Sequence, residues 1–132
     1  MTKMHAGLRD RWCSALRSGR YEPGTACLRS AEPDGTSRFD PLGVLCDIVA
    51  VAGGGGEWRI DGDDAEVWSF RYESGAGYGD GVTSGGHWWR HFPPDTLLRA
   101  AGLDVPPALA VQTLAESGLT HAAIADWLEN HL

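Results

Sequence analysis

The stretch from Asp40 to Ala52, DPLGVLCDIVAVA, is apolar on nearly every side; past its opening aspartate, Asp47 is the only charge. A helix that is hydrophobic all round has to be covered all round. In a chain of 132 residues, the size of one domain, such a helix belongs at the centre and the other elements pack around it. Asp40 at the N-cap and Pro41 at the first helical position form a helix start signal. Val44, Ile48, Val49 and Val51 are β-branched and would suit a buried strand, but the start signal and the length favour a helix. Glycines 53–56 end it.

The flanking segments supply its cover. Residues 5–18 read as an amphipathic helix with Leu8, Trp12 and Leu16 on one stripe and Gly19 as the stop. Thr25 to Arg29 reads as a short strand, with a hairpin turn at Glu32-Pro33-Asp34-Gly35. Residues 57–60 and 65–72 read as a second hairpin turning at DGDD, 61–64. In it Trp68, Phe70 and Tyr72 alternate with Val67, Ser69 and Arg71, so one face is aromatic. Residues 74–92 form a Gly/Trp-rich loop, and 94–132 read as helical, with stops at Gly102 and Gly118 and a cap at Thr120. The expected fold is α+β over 1–132 as a single domain. A small antiparallel sheet packs against the buried helix, and a C-terminal helical hairpin completes it.

Composition narrows the function. Lys+Arg is 11 against 18 Asp+Glu, a net charge of -7, which argues against a general nucleic-acid coat. The charge is polarised: residues 1–38 carry +3 and residues 39–132 carry -10. No apolar run reaches the ~20 residues that span a bilayer, and MTKMHAGLRD lacks a signal-peptide core, so the expected location is cytoplasmic, without membrane contact. Cys13, Cys27 and Cys46 form no CxxC, and Cys46 reads as an inert core thiol.

No nucleophile elbow, phosphate loop or metalloprotease helix is present, and no cofactor is expected. His87 and His91 have metal-ligand spacing, but Gly85-Gly86 and Pro93-Pro94 bracket them and Trp88 and Trp89 crowd them. HWWRHF, 87–92, is either an aromatic plug folded onto the sheet or an exposed binding patch, since Trp, Tyr and Arg are the residue types that anchor interfaces. The expected binding set is Tyr78, Trp88, Trp89 and Arg90, with Asp61, Asp63 and Asp64 as an acidic rim. Residues 111–128 have a degenerate helix-turn-helix spacing, yet the second helix carries Asp126 and Glu129 and no Lys or Arg.

Three segments carry a resemblance: Trp12 to Tyr21 (WCSALRSGRY), Phe39 to Asp47 (FDPLGVLCD) and Leu114 to Leu128. They resemble a group of small proteins common in tailed phages and prophages of actinobacteria and other GC-rich hosts. The chain departs from that pattern at Asp40 and Pro41, near which the group often carries cysteine. The resemblance implies a phage or mobile-element origin and no particular activity. Small phage accessory proteins often bind and disable host machinery. The expected function is therefore stoichiometric inhibition of a host defence or regulatory protein complex, such as a CRISPR effector or another defence nuclease. The alternatives are a small Cys/His or metal-dependent hydrolase and a DNA-binding regulator.

Overall fold

The computed structural model describes residues 4–24, 27–32, 36–53, 56–61, 64–72, 89–93 and 95–132. In chain order the elements are α1 (Ala6–Arg17), β1 (Glu22–Pro23), β2 (Arg29–Ala31), β3 (Ser37–Phe39), α2 (Pro41–Gly53), β4 (Gly56–Asp61), β5 (Asp64–Tyr72), α3 (Asp95–Ala101), α4 (Val105–Glu116) and α5 (His121–His131).

The apolar segment is a helix, and its start is built as the sequence indicates. The Asp40 carboxylate accepts the backbone N–H of Gly43 at 2.6 Å, capping the first turn of α2. Leu42, Val44, Leu45 and Cys46 are all fully buried. Three groups of elements cover them: α1, the strands β3 and β4, and α4. Trp12 of α1 donates its indole N–H to the Pro41 carbonyl at 2.8 Å, joining the two N-terminal helices inside the core.

The sheet has the order β1-β3-β2-β5-β4. Both expected hairpins form: β2 pairs antiparallel with β3, and β4 pairs antiparallel with β5. The sheet is mixed rather than wholly antiparallel, because β1 runs parallel to β3. A two-residue edge strand suffices for this: Pro23, which cannot donate, sits at the edge, and the next residue, Gly24, donates its N–H to Phe39 at 2.9 Å. The expected strand at Thr25–Arg29 is displaced. Cys27 and Leu28 form a bend, and the ladder begins at Arg29. Leu28 is held instead from two sides, by the Arg90 carbonyl and by the Asp40 N–H.

The aromatic face lies against α2. Tyr21, Phe39, Trp58 and Phe70 form a chain of rings, edge-on at the first two contacts and tilted at the third, with centroid separations of 4.9, 6.0 and 4.8 Å. The single charge of α2 ends here. Asp47 accepts the Tyr21 hydroxyl at 2.7 Å and the Trp58 indole N–H at 3.1 Å.

The three C-terminal helices close the other side. α5 packs on α1 and α4. Ile124 and Leu128 are buried, and Trp127 and Leu132 pack against the core from its margin, so all four residues of the stripe face inward. Across the seam Arg17 bonds Asp126 at 2.5 Å and Glu129 at 2.7 Å.

Candidate binding site

The turn between α4 and α5 sets up a cavity. Gly118 has φ +99°, a conformation other residues adopt only with strain, and this lets the chain reverse directly after α4. Thr120 then caps α5, its hydroxyl oxygen accepting the Ala123 N–H at 3.1 Å. The next residue, His121, points inward and is only 6% exposed. Facing this turn are Pro23 and Gly24 at the end of β1 and Pro41 at the start of α2. Together with Ala115, Gly118, Leu119, Thr120 and His121 they line a cavity of about 270 Å³.

Two buried titratable side chains belong to this region, Asp40 and His121. Burial pushes the Asp40 carboxyl up to about 7, with Glu116 raising it further and the Gly43 and Leu42 N–H groups opposing. Burial pushes the His121 imidazole down, so the ring is neutral, while the Phe39 carbonyl bonded to it opposes that shift. The other ring nitrogen, Nε2, is buried and has no hydrogen-bond partner.

Exposed apolar side chains lie along α4 and just past its end. Val105, Leu109, Gln112 and Glu116 share one stripe of α4 at helical spacing. Val105 is 43% exposed, Leu109 47% and Leu119, at the cavity, 38%. Asp104, Glu116 and Glu22 are also exposed.

The sequence-expected binding residues are distributed differently. Trp89 and Arg90 are half-buried and their backbone completes the sheet. Trp89 exchanges hydrogen bonds with Phe70 at 2.7 and 2.8 Å, and the Arg90 carbonyl takes the Leu28 N–H at 2.7 Å. They fill the place beside β5 that β2 leaves empty. Asp61 and Asp64 pair at the opposite end of β5, at the hairpin turn. Phe70 lies six residue steps along the strand from Asp64, about 20 Å of chain. Tyr78, Trp88 and Asp63 lie outside the described residues, as does His87. Among the described residues no group of three His, Cys, Asp or Glu is placed to hold a metal ion, and no helix is long and apolar enough to cross a membrane.

A second polar cluster lies on the aromatic face. The half-buried guanidinium of Arg29 stands 3.8 Å from the Trp68 ring centroid, 5.0 Å from Phe39 and 5.4 Å from Trp58. Its Nε donates to Ser37 Oγ at 3.0 Å. Burial pushes its pKa down, and Asp47 opposes that shift. Tyr21, half-buried and bonded to Asp47, is pushed up to about 12. These groups hold the sheet to α2.

All three thiols are buried. Burial raises the pKa of Cys13 and of Cys46, the wrong direction for a nucleophile. Cys13 donates instead to the Ala125 carbonyl at 3.6 Å.

A family model described as "Domain of unknown function (DUF8296)" matches residues 4–77, more than half of the chain. The chain belongs to this family. No curated protein and no solved structure matches it. The DUF8296 match takes in α1, the whole five-stranded sheet and α2. Helices α3 to α5 lie beyond it. The cavity therefore sits on a seam: Pro23, Gly24 and Pro41 come from the DUF8296 span, and Ala115 to His121 come from the helices that cover it. The cavity was missed at the sequence level because its walls come from three separate stretches. The one local signal was the Gly-Leu-Thr-His turn at 118–121, which reads only as a stop and a cap.

Proposed function

We propose that this chain is a phage- or mobile-element-encoded binding protein that inhibits a host defence or regulatory protein complex by stoichiometric contact, with an anti-CRISPR protein as one form of that role. It would act in the cytoplasm of the host cell. The observation that carries the reading is the pair of exposed apolar side chains Val105 and Leu109 on α4, with exposed Leu119 just past the end of that helix and exposed Asp104 and Glu116 at its two ends. Exposed large apolar side chains with acidic neighbours are the residue make-up of an interface. The acidic neighbours suit a basic partner surface. The phage-like segments support the origin, and the burial of all three thiols supports binding over cysteine chemistry.

The test is affinity purification of the tagged chain from host lysate, mass-spectrometric identification of what co-elutes, and reconstitution with the purified partner. A single near-stoichiometric partner, inhibited by the pure protein and released by Leu109→Asp, supports the reading. A protein that elutes alone overturns it. Trp89→Ala, in the same assay, reports on the face expected from Tyr78, Trp88, Trp89, Arg90, Asp61, Asp63 and Asp64. If Trp89→Ala releases the partner and Leu109→Asp does not, binding runs through the aromatic segment.

A further inference from the structure

We propose that the outer edge of β4 is a self-pairing surface: two copies of this chain join β4 to β4, antiparallel and centred on Trp58, so that Glu57 of each copy lies opposite Arg59 of the other. The pairing rests on no part of the host-partner reading.

The two edges of the sheet are built differently. β1 closes one side with 2 residues, one of them Pro23, which has no N–H to offer a further strand. β4 closes the other side with 6 residues and no proline. Among the described residues β5 is the one strand paired with β4. From Gly56 to Ile60 that ladder runs in unbroken register, and an irregularity follows between Ile60 and Asp61. A regular, extended edge of this length is what an added strand pairs with, through alternate backbone N–H and C=O groups.

Charge and symmetry choose the occupant and the register. Trp58 is half-buried and faces α2, where its indole meets Asp47. Glu57 and Arg59, on the opposite face, are exposed. A closed dimer has a two-fold axis, and an axis perpendicular to the sheet keeps each residue on its own face. Directly opposed residues of an antiparallel pair share a face, so the axis must pass through one residue of β4. Through Glu57 or Arg59 it would set two like charges against each other at the centre. Through Gly56 or Ile60, at the ends of the regular run, few residues of strand would overlap. Through Trp58 it uses the whole run from Gly56 to Ile60, which is symmetric about that residue, and sets Glu57 against Arg59 on both sides of the axis. Glu57 already bonds Arg71 of β5. The outer face of the joined sheet then carries Arg71, Glu57 and the partner's Arg59 in a row of alternating sign. This built-in match of the strand to itself commits the edge to a second copy.

The experiment is sedimentation equilibrium of the purified full chain at concentrations up to about 1 mM. The mass should rise with concentration from 14.2 kDa toward twice that value. Glu57→Arg and Arg59→Glu should each weaken pairing about tenfold or more, because each sets like charges opposite one another on both sides of the axis. Both side chains are exposed, and exposed ion pairs contribute little to folding, so the fold should stand in each variant. An equimolar mixture of the two variants should pair again, since every opposed pair in the mixed dimer is of opposite sign. Recovery on mixing also shows that both variants are folded. A mass that stays at 14.2 kDa up to about 1 mM, a dimer that either variant leaves unchanged, or a mixture that stays monomeric each overturns the proposal. A dimer lost in Leu109→Asp and kept in Arg59→Glu places the contact on α4 and overturns it too. Hydrogen exchange separates the remaining occupant. Amides of β4 protected only on adding a reconstituted host partner, in a chain that is itself monomeric, would give the edge to a strand of that partner and overturn pairing with a second copy.

Discussion

Gly43 of α2 lies so close to Leu28 that a Cβ built on the glycine would overlap the Leu28 carbonyl oxygen. The same carbonyl accepts the Asp40 N–H at 3.2 Å, so helix and sheet meet backbone to backbone at this point. Gly43→Ala should therefore destabilise the protein by about 2 kcal/mol or more, because neither side of the contact is a movable side chain. Gly7→Ala is the matched control. Gly7 sits on α1 with nothing within 4 Å of where a Cβ would stand, so alanine there should stabilise by about 0.5 kcal/mol. Urea unfolding of both variants checks the opposite signs.

Trp12→Phe should lower stability by about 2 kcal/mol or more. Trp12 is fully buried, and the substitution removes both indole volume and the N–H that reaches Pro41. The measurement is the shift in urea midpoint at unchanged slope. A variant as stable as the parent would show that this bond does not hold α1 to α2.

The two buried titratable groups should give opposite pH slopes. Asp40 is pushed up to about 7, so the native state keeps a proton that the unfolded chain releases above about 4. Its contribution to stability is greatest in acid and is lost as pH rises from about 4 to about 7. His121 is pushed down, so below about 6.5 the unfolded chain takes up a proton that the native ring resists. Its contribution is lost as pH falls. On acidification from pH 7 to 5, the melting temperature of Asp40→Asn should fall more steeply than that of the parent. That of His121→Phe should rise relative to the parent. Each slope is bounded by about 1.4 kcal/mol per pH unit. Profiles parallel to the parent in both variants would assign the titration elsewhere.

The thiols should be inert in the folded state. Cys13, Cys27 and Cys46 are all buried. A disulfide-exchange reagent should find no fast thiol in the native protein and all 3 in guanidinium. One fast native thiol would revive a cysteine-based activity.

Local sequence determined the elements. Asp40 and Pro41 set the start of α2, the apolar run from Leu42 set its burial, the alternation around Trp68 and Phe70 set β5, and Thr120 set α5. Each is a signal within one or two turns or a single strand, where capping and periodicity act directly on the backbone. Tertiary structure alone decided the rest. The parallel pairing of β1 with β3, the insertion of Trp89 and Arg90 beside β5, and the partners of Asp47 depend on residues brought together from far along the chain. So does the cavity, whose walls at Pro23, Pro41 and His121 carry no common sequence signature. His121 reads in the sequence only as the first residue of the helix that Thr120 caps. Packing against the Phe39 carbonyl is what buries it and leaves one nitrogen without a partner. Propensity acts over neighbouring residues, whereas desolvation and shape arise only once distant segments share a core.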